Sequence, residues 1–262
     1  MSYFTEKQDS SSLDEIFPDF SPFERAISYP YYAPGYSFSF YKGSFVKGIC
    51  HNLDNRIPIL SVGSNRSPYQ LKRKFSLNAD ICVTPAILYD SDIVYSASIS
   101  AYGSMPSTQW PCEGVSVNLN VLWLQENQLN KMHLTEGLGI AYDFVKLKSG
   151  TVKIQDFEFK NDIYGYVSVP GVFPFGLKTP KRLSSIHAQN TSLTNLSEKN
   201  ALISLKDFLN IKDMDLKLWL EKVIKNKEYR LSIHEILKVQ AIKPKKPNWQ
   251  IVKVNAKGDL IV

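Results

Sequence analysis

Residues 60–71 read LSVGSNRSPYQL, and this stretch decides how the chain is organised. An apolar run that begins at Ile57 stops at the small polar tripeptide Gly63-Ser64-Asn65, and Ser67-Pro68 follows at once. A short apolar run is typical of a buried strand, and Ser before Pro is a favoured helix start. The stretch therefore predicts a strand that passes to a helix through a tight turn. The turn is either an ordinary connection or a place where backbone N–H groups meet an anionic or carbonyl group.

The segments on either side divide into strands and helices. Alternating or β-branched stretches predict strands or hairpins in these ranges: 37–49, a hairpin about Lys42-Gly43; 80–103, two strands; 114–124, one strand; 142–159, a hairpin turning at Ser149-Gly150; and 162–169, one strand. Helical spacing predicts a short helix in 125–136 that stops at Gly137, and two more in 195–211 and 214–229. A capping-box sequence at Ser232–Glu235 predicts a further helix, and 249–262 predicts a terminal hairpin.

The pattern changes at Pro170, where mixed strands and helices give way to helical spacing. The chain has 262 residues and is 44% hydrophobic, which is enough for one large domain, or for one medium domain with extensions. We predict an α+β chain in three parts. Residues 1–55 form an N-terminal arm and hairpin that pack on the core, residues 56–170 form the core, and residues 171–262 form a helical C-terminal extension that ends in the hairpin.

The net charge of +6 lies in the C-terminal quarter of the chain. From Leu196 to Val262 there are fourteen Lys or Arg and eight Asp or Glu residues, so the rest of the chain is about neutral. Such a segment is either a solvated amphipathic tail or a surface for nucleic acid. The basic residues are spread among acidic ones, and only Lys243–Lys246 forms a tight cluster. We therefore do not expect a nucleic-acid partner.

The cysteines, the histidines and the apolar runs bear on redox state, metals and membranes. Three scattered cysteines, Cys50, Cys82 and Cys112, are too few for a disulfide framework, and their odd number fits a reducing compartment. The histidines show no metal-ligand spacing with them, so we expect no metal. No apolar run is long enough to cross a bilayer, and the start lacks a signal-peptide pattern. We therefore expect a cytoplasmic protein with no membrane partner.

A carboxylate beside a glycine is the second chemical feature of the sequence. Glu136 falls at the end of the predicted helix, directly before Gly137. There it faces the negative end of the helix dipole, and burial in addition would suit the carboxylate to general-base work. The alternative is an ordinary surface glutamate before a helix stop. His133 lies three residues earlier, about on the same helix face, and is either a second titrating group or a satisfied buried side chain.

Taken in order along the chain, these features resemble the γ-glutamylcyclotransferase-like family. The family's Tyr-Gly-Ser-Asn is similar to Val62-Gly63-Ser64-Asn65 here, and a following strand is similar to ICVTPAILYD (81–90). A segment with small residues and Pro-x-x-Gly resembles YGSMPSTQWPCEGVSVNLNVLWL (102–124). The family's Glu-Gly after a short helix matches LNKMHLTEG (129–137), and a tyrosine beyond it corresponds to Tyr142. The resemblance covers about 57–169.

The resemblance implies a small mixed β-barrel with flanking helices, here with the helical C-terminal extension. It also implies an enzyme that cyclises a γ-glutamyl group to 5-oxoproline and releases an amine or amino acid, with no cofactor and no metal. Glu136 would be the general acid/base. The substrate-binding residues would be Val62, Gly63, Ser64, Asn65 and Tyr142. The residues that could line the pocket are Tyr102, Gly103, Ser104 and His133.

Val62 departs from the family pattern, because the hydroxyl of the family's tyrosine is lost there. This leaves open an alternative function, a non-catalytic protein that binds a small carboxylate or amide on the same fold. The partner in either case is a small molecule. The sequence does not predict the leaving amine or the oligomeric state.

Overall fold

The computed structural model describes residues 13–254 except 49, 51 and 177. Over these residues the chain is a mixed α+β structure, with one large mixed sheet and several helices. The helices are α1 (Leu13–Ile16), α2 (Pro22–Ile27), α3 (Pro68–Phe75), α4 (Glu126–Glu136), α5 (Glu198–Phe208), α6 (Leu216–Lys225) and α7 (Lys227–Gln240). The strands are β1 (Phe38–Tyr41), β2 (Ser44–Lys47), β3 (Ile57–Ser61), β4 (Ile81–Tyr95), β5 (Ser107–Leu124), β6 (Tyr142–Leu147), β7 (Val152–Ile154), β8 (Tyr164–Ser168), β9 (Arg182–Leu183), β10 (Ala188–Gln189), β11 (Asn195–Leu196) and β12 (Trp249–Ile251).

A long antiparallel hairpin, β4 with β5, forms the centre of the sheet. The strands follow the order β11-β9-β4-β5-β3-β8-β6-β12, and β1, β7 and β10 pair with the outer edges of the hairpin. Strand β3 runs antiparallel to β5 and parallel to β8. The strand that carries the Gly-Ser-Asn turn at its end is therefore an interior strand of the sheet, and it holds that turn in a fixed place.

The expected β-barrel is wrong for the described residues, because their strand order is an open path with β11 and β12 at its two ends. The edge of β6 that closure would need is taken by β12, where Trp249 pairs with Leu147. On the other side, β9 and β11 continue the sheet beyond β4. The C-terminal part of the chain thus extends the sheet at both ends where a barrel would join them.

Two strand predictions are also wrong, because the strands pair differently from what the sequence predicts. Residues 80–103 contain one strand of 15 residues, because a register shift at Asp90, where φ is 55°, lets β4 bend without ending. In 142–159, β6 and β7 do not pair with each other. Both edges of β6 are already taken by β8 and β12, and β7 pairs with β4 instead.

The short helices begin and end near the predicted signals, with one exception. Helix α4 ends at Gly137 in the left-handed conformation, with φ 60° and ψ 53°, which confirms the predicted stop. Helix α3 begins at Pro68 after Ser67, although the Ser67 side chain makes no capping hydrogen bond. The start predicted at Ser232 is wrong, because the Asn226 side chain accepts from the Tyr229 N–H and starts α7 earlier.

Both terminal regions pack on the sheet. The predicted hairpin at Lys42-Gly43 is confirmed as β1 and β2, and β1 pairs with β4. A disulfide joins Cys50 to Cys82 on β4, with a Cα–Cα distance of 5.4 Å, contrary to the expectation of reduced cysteines. For the predicted terminal hairpin, only β12 is described, and residues 255–262 lie outside the described range.

The C-terminal helices share a core with the sheet. One buried cluster contains Trp123 and Val121 of β5 together with Trp219 of α6 and Ile233 of α7. In a second buried cluster, side chains of α3 and α4 pack against strands of the sheet, including Phe144 of β6. No helix in the described part of the chain is long and apolar enough to span a bilayer.

Candidate functional site

A cavity of about 400 Å³ opens where β3 ends, and this volume suits a small-molecule ligand. Seven of the sequence-predicted residues line it: Val62, Gly63, Ser64, Asn65, Tyr102, Glu136 and Tyr142. They come from the turn after β3, the segment after β4, the end of α4 and the start of β6. The fold thus places both halves of the resemblance, the Gly-Ser-Asn turn and the Glu-Gly sequence, on one cavity.

Glu136 and Asn65 are in direct contact, although 71 residues separate them in the sequence. The Asn65 side-chain amide donates a hydrogen bond of 3.1 Å to Glu136 Oε1. The Lys74 ammonium contacts the same oxygen and forms an ion pair with the carboxylate. The Lys74 and Glu136 side chains are 10% and 12% exposed. The carboxylate is therefore fixed by two donors at the wall of the cavity.

The space around Gly63 leaves no room for a side chain. Its backbone, with φ −145° and ψ −136°, lies outside the left-handed region. A Cβ atom there would overlap the Tyr29 hydroxyl oxygen and lie 2.6 Å from Ser107 Oγ. Ser107 Oγ also donates to the Val62 carbonyl at 2.8 Å, and the Ser107 N–H donates to the Tyr29 hydroxyl at 2.9 Å. Tyr29 of the N-terminal arm and Ser107 of β5 together fix the position of the turn.

The turn after Gly63 lines the cavity through Ser64 and Asn65. Ser64–Arg66 form a 3-10 turn in which the Arg66 and Ser67 N–H groups donate to Gly63 and Ser64 carbonyls. Within the described part of the chain, the Ser64 and Asn65 N–H groups make no hydrogen bond. They are therefore available to a carbonyl or carboxylate oxygen of a ligand.

Three tyrosines surround the carboxylate and keep their protons. Burial raises the pKa of Tyr142 well above its ordinary value, and the nearby Glu136 charge raises it further. Burial also raises the pKa of Tyr102 to about 12, with hydrogen bonds to Ser64 and Ser100 acting in the opposite sense. The pKa of Tyr166 is raised by burial and by Glu136 as well. At neutral pH all three hydroxyls are therefore uncharged, and that of Tyr142 donates to the Ser107 carbonyl at 3.2 Å.

The other three predicted pocket residues do not line the cavity. His133 is buried behind Tyr166, with Nδ1 2.7 Å from the tyrosine hydroxyl, and packs edge-on against Phe144. Ser104 Oγ donates to the Ala26 carbonyl at 2.9 Å, which binds α2 to this segment. Gly103 has a φ of 86° and packs against α2 and α6. These residues support the cavity wall from the outside.

Sequence reasoning missed several polar residues of the cavity, among them Lys74, Tyr29, Arg230 and His234. Lys74 lies near the end of α3, the helix that the sequence predicts after Ser67-Pro68. A signal for it existed, because it lies four residues after Gln70, another cavity residue, and so on the same helix face. The remaining three come from the N-terminal arm and α7, and no local pattern indicates where those segments pack.

Metal ligands do not cluster in the described part of the chain, where no group of three or more His, Cys, Asp or Glu side chains could hold an ion. The polar side chains at the cavity are one carboxylate, amides, hydroxyls, the His234 imidazole and two cationic groups. Such a set suits an organic ligand that carries both positive and negative charge.

Neither a protein-family model nor a curated protein matches the chain. Among solved structures, a gamma-glutamyl cyclotransferase aligns over 75% of this chain and 93% of its own, with 14% identity and a TM-score of 0.37. A protein from Arabidopsis thaliana solved in solution aligns over 66% and 87%, with 16% identity and a TM-score of 0.36. An uncharacterized protein from Homo sapiens aligns over 75% and 94%, with 16% identity and a TM-score of 0.36. Function is therefore inferred from the residues of the cavity.

Proposed function

We propose that this protein cyclises a γ-glutamyl group to 5-oxoproline and releases an amine or amino acid. The observation that carries the proposal is the contact of Asn65 and Lys74 with Glu136 Oε1 on the wall of a ligand-sized cavity. A carboxylate fixed beside a cavity is the group that an intramolecular cyclisation needs as its base. The order of the motifs along the sequence supports the same reaction.

Lys74 and Glu136 are complementary to the α-amino-acid head of a γ-glutamyl compound. That head carries an ammonium and a carboxylate on one carbon. In the absence of a ligand the two side chains neutralise each other. When the head binds, its ammonium takes the place of the Lys74 ammonium at Glu136, and its carboxylate pairs with Lys74. The two side chains that pair with each other in the structure thereby become the pair that orients the substrate.

The chemistry then needs one base and a few donors. Glu136 accepts a proton from the α-nitrogen, which attacks the γ-carbonyl carbon and closes a five-membered lactam. The Ser64 and Asn65 N–H groups donate to the oxygen that becomes negative. Protonated Glu136 gives this proton to the departing nitrogen as its bond to the γ-carbon breaks. The ring nitrogen then gives up its second proton through Glu136 to the released amine, which leaves as an ammonium. Because the nucleophile and the carbonyl belong to one molecule, holding the correct conformation supplies much of the rate enhancement.

Binding without turnover is the second candidate function. Lys74 favours it, because its ammonium must leave Glu136 before the carboxylate can act as a base. Val62 favours it as well, since it offers no hydroxyl at the position where the family has a tyrosine. In this case the cavity would hold a zwitterionic ligand between the same two side chains and release it unchanged.

The experiment measures 5-oxoproline released from a panel of γ-glutamyl amino acids and γ-glutamyl amines. The wild type should release it, and Glu136→Gln should lower the rate by about 100-fold to 10,000-fold, which is the usual contribution of a positioned base. Glu126→Gln is the matched control, because Glu126 is an exposed glutamate at the other end of α4. Equal rates for the wild type and Glu136→Gln would contradict the proposal. Thermal stabilisation by a panel member without release would support the binding protein.

A further inference from the structure

Helix α7 forms the second end of the cavity. Arg230 and His234 line it together with the segment 98–102. His234 Nε2 lies 2.7 Å from the Ile99 carbonyl oxygen and donates a hydrogen bond to it. Burial and the neighbouring Arg230 charge lower the pKa of His234, although the bond to Ile99 acts against them, so at neutral pH the ring is uncharged. His234 thus anchors α7 against the cavity wall and leaves Arg230 as the cation of this end.

Arg230 is held in place by backbone carbonyl groups. Its Nη1 donates to the Val223 carbonyl at 2.7 Å and to the Ile224 carbonyl at 3.2 Å, both at the end of α6. These bonds fix the guanidinium and leave its other N–H groups for a ligand. Among the described residues, Arg230 forms no ion pair.

The charges of the cavity are therefore unevenly balanced. At the end of α4, Lys74 and Glu136 compensate each other. At the α7 end, Arg230 contributes one positive charge that no carboxylate lining the cavity offsets within the described residues. A half-buried guanidinium in a fixed position is a strong site for a carboxylate, since the two groups form charge-assisted and often bidentate hydrogen bonds.

We infer that Arg230 determines specificity by binding a carboxylate on the leaving part of the substrate. This inference rests on the proposed function, because it requires a γ-glutamyl head at Glu136 and Lys74. The leaving part then extends toward α7, where its carboxylate meets the guanidinium. A neutral leaving amine of the same size makes no such bond and leaves the guanidinium without a counter-charge. The C-terminal extension therefore selects γ-glutamyl amino acids over γ-glutamyl amines.

The test compares two substrates of equal size, γ-glutamyl-alanine and γ-glutamyl-alaninamide, which differ in one charge. In the wild type, kcat/KM should be about tenfold to 100-fold higher for the acid, as expected for a charge-assisted hydrogen bond worth about 1.5–3 kcal/mol. Arg230→Met should reduce this ratio to near one. Lys227→Met is the control, because Lys227 is an exposed cation on the same helix that does not line the cavity. Its ratio should equal that of the wild type.

Each outcome decides one question. If the wild type releases 5-oxoproline from neither substrate, the proposed function fails and this inference fails with it. If the wild type turns over both with equal kcat/KM, only the inference about Arg230 is overturned. A preference that persists in Arg230→Met overturns it as well. Arg230 also holds the end of α6. If Arg230→Met does not fold, two measurements on the wild type decide the inference. These are the ratio of kcat/KM for the acid to that for the amide, and the fall of this ratio at high salt.

Discussion

The Lys74–Glu136 pair predicts that removing the lysine destabilises the protein. Lys74→Met leaves the Glu136 carboxylate, which is 12% exposed, with the Asn65 amide as its remaining hydrogen-bond donor. Breaking a buried pair costs about 3–5 kcal/mol. The lower end applies here, because the cavity admits water to the carboxylate. At about 2–4 °C per kcal/mol for a chain of this size, the melting temperature should fall by about 6–12 °C.

The double variant Lys74→Met/Glu136→Gln should recover most of that loss. It replaces the ion pair with two neutral side chains of similar volume, an exchange that is often neutral or stabilising. We expect its stability to lie within about 1 kcal/mol of the wild type, so that the two substitutions are strongly non-additive. Its release of 5-oxoproline should stay as low as that of Glu136→Gln. Stability and turnover are thereby separated in one set of four proteins.

The assay is urea unfolding followed by circular dichroism, in one buffer for the four proteins, with thermal melts as a second measure. Lys146→Met is the control, because Lys146 pairs with Asp162 at 3.1 Å on the surface, where the side chains are 41% and 52% exposed. Solvent screens that pair, and its loss should change the free energy of unfolding by less than about 1 kcal/mol. The stabilising role of the pair would be refuted if the effects of Lys74→Met and Glu136→Gln on the free energy of unfolding were additive in the double variant. It would also be refuted if Lys74→Met were as stable as the wild type.

Three further predictions concern stability. Gly63→Ala should destabilise by about 1–3 kcal/mol in urea unfolding, because its methyl group overlaps the Tyr29 hydroxyl. Burial raises the pKa of Glu198 well above its ordinary value of 4.5, so the folded state keeps a proton that the unfolded state releases. Stability should therefore fall as the pH rises above 4.5, by up to about 1.4 kcal/mol per unit, and Glu198→Gln should remove this fall. Cys50→Ser breaks the disulfide to Cys82 and should cost about 2–4 kcal/mol under non-reducing conditions.

Each of these predictions has a matched control in the chain. Gly35→Ala adds a methyl group at a glycine with nothing within 4 Å and should leave stability about unchanged. Glu126 begins α4 as Glu198 begins α5, but it is exposed, so Glu126→Gln should keep the wild-type pH profile. Cys112 is a free cysteine, and Cys112→Ser should match the wild type with and without reductant. If a control variant changed stability, or its pH dependence, as much as the corresponding test variant, the structural reason given for that test variant would be refuted.

Local signals predicted the elements that contribute the turn and the carboxylate. The end of β3 follows from an apolar run that stops, and the end of α4 follows from Gly137 in the left-handed conformation. Such signals act within a few residues of the chain, so they can be seen in the sequence. The pairing of β6 with β12 depends instead on segments about a hundred residues apart. No local pattern encodes it, and the barrel was expected from a resemblance that covers only about 57–169 and so does not include β12.

The same distinction explains which cavity residues were found. Asn65 lies two residues after Gly63 and Glu136 lies directly before Gly137, and both glycines mark turns, so both residues could be predicted. Arg230 sits inside a regular helix, with nothing near it in the sequence that distinguishes it from a solvated charge. Its position depends on how α7 packs, through a contact between His234 and Ile99 that spans 135 residues. Packing of this kind is decided by tertiary contacts.

The glycine at the end of β3 was open to two explanations, and the geometry separates them. Gly63 leaves room for the Tyr29 hydroxyl, whose position a side chain at 63 would take. That hydroxyl accepts from the Ser107 N–H, and Ser107 in turn holds the Val62 carbonyl. The glycine therefore serves the packing of the N-terminal arm, and the arm fixes the turn from which Asn65 reaches Glu136. Packing against the Tyr29 hydroxyl is enough to explain the glycine in this motif. The proposed function depends on the Asn65 amide and the Glu136 carboxylate that it holds.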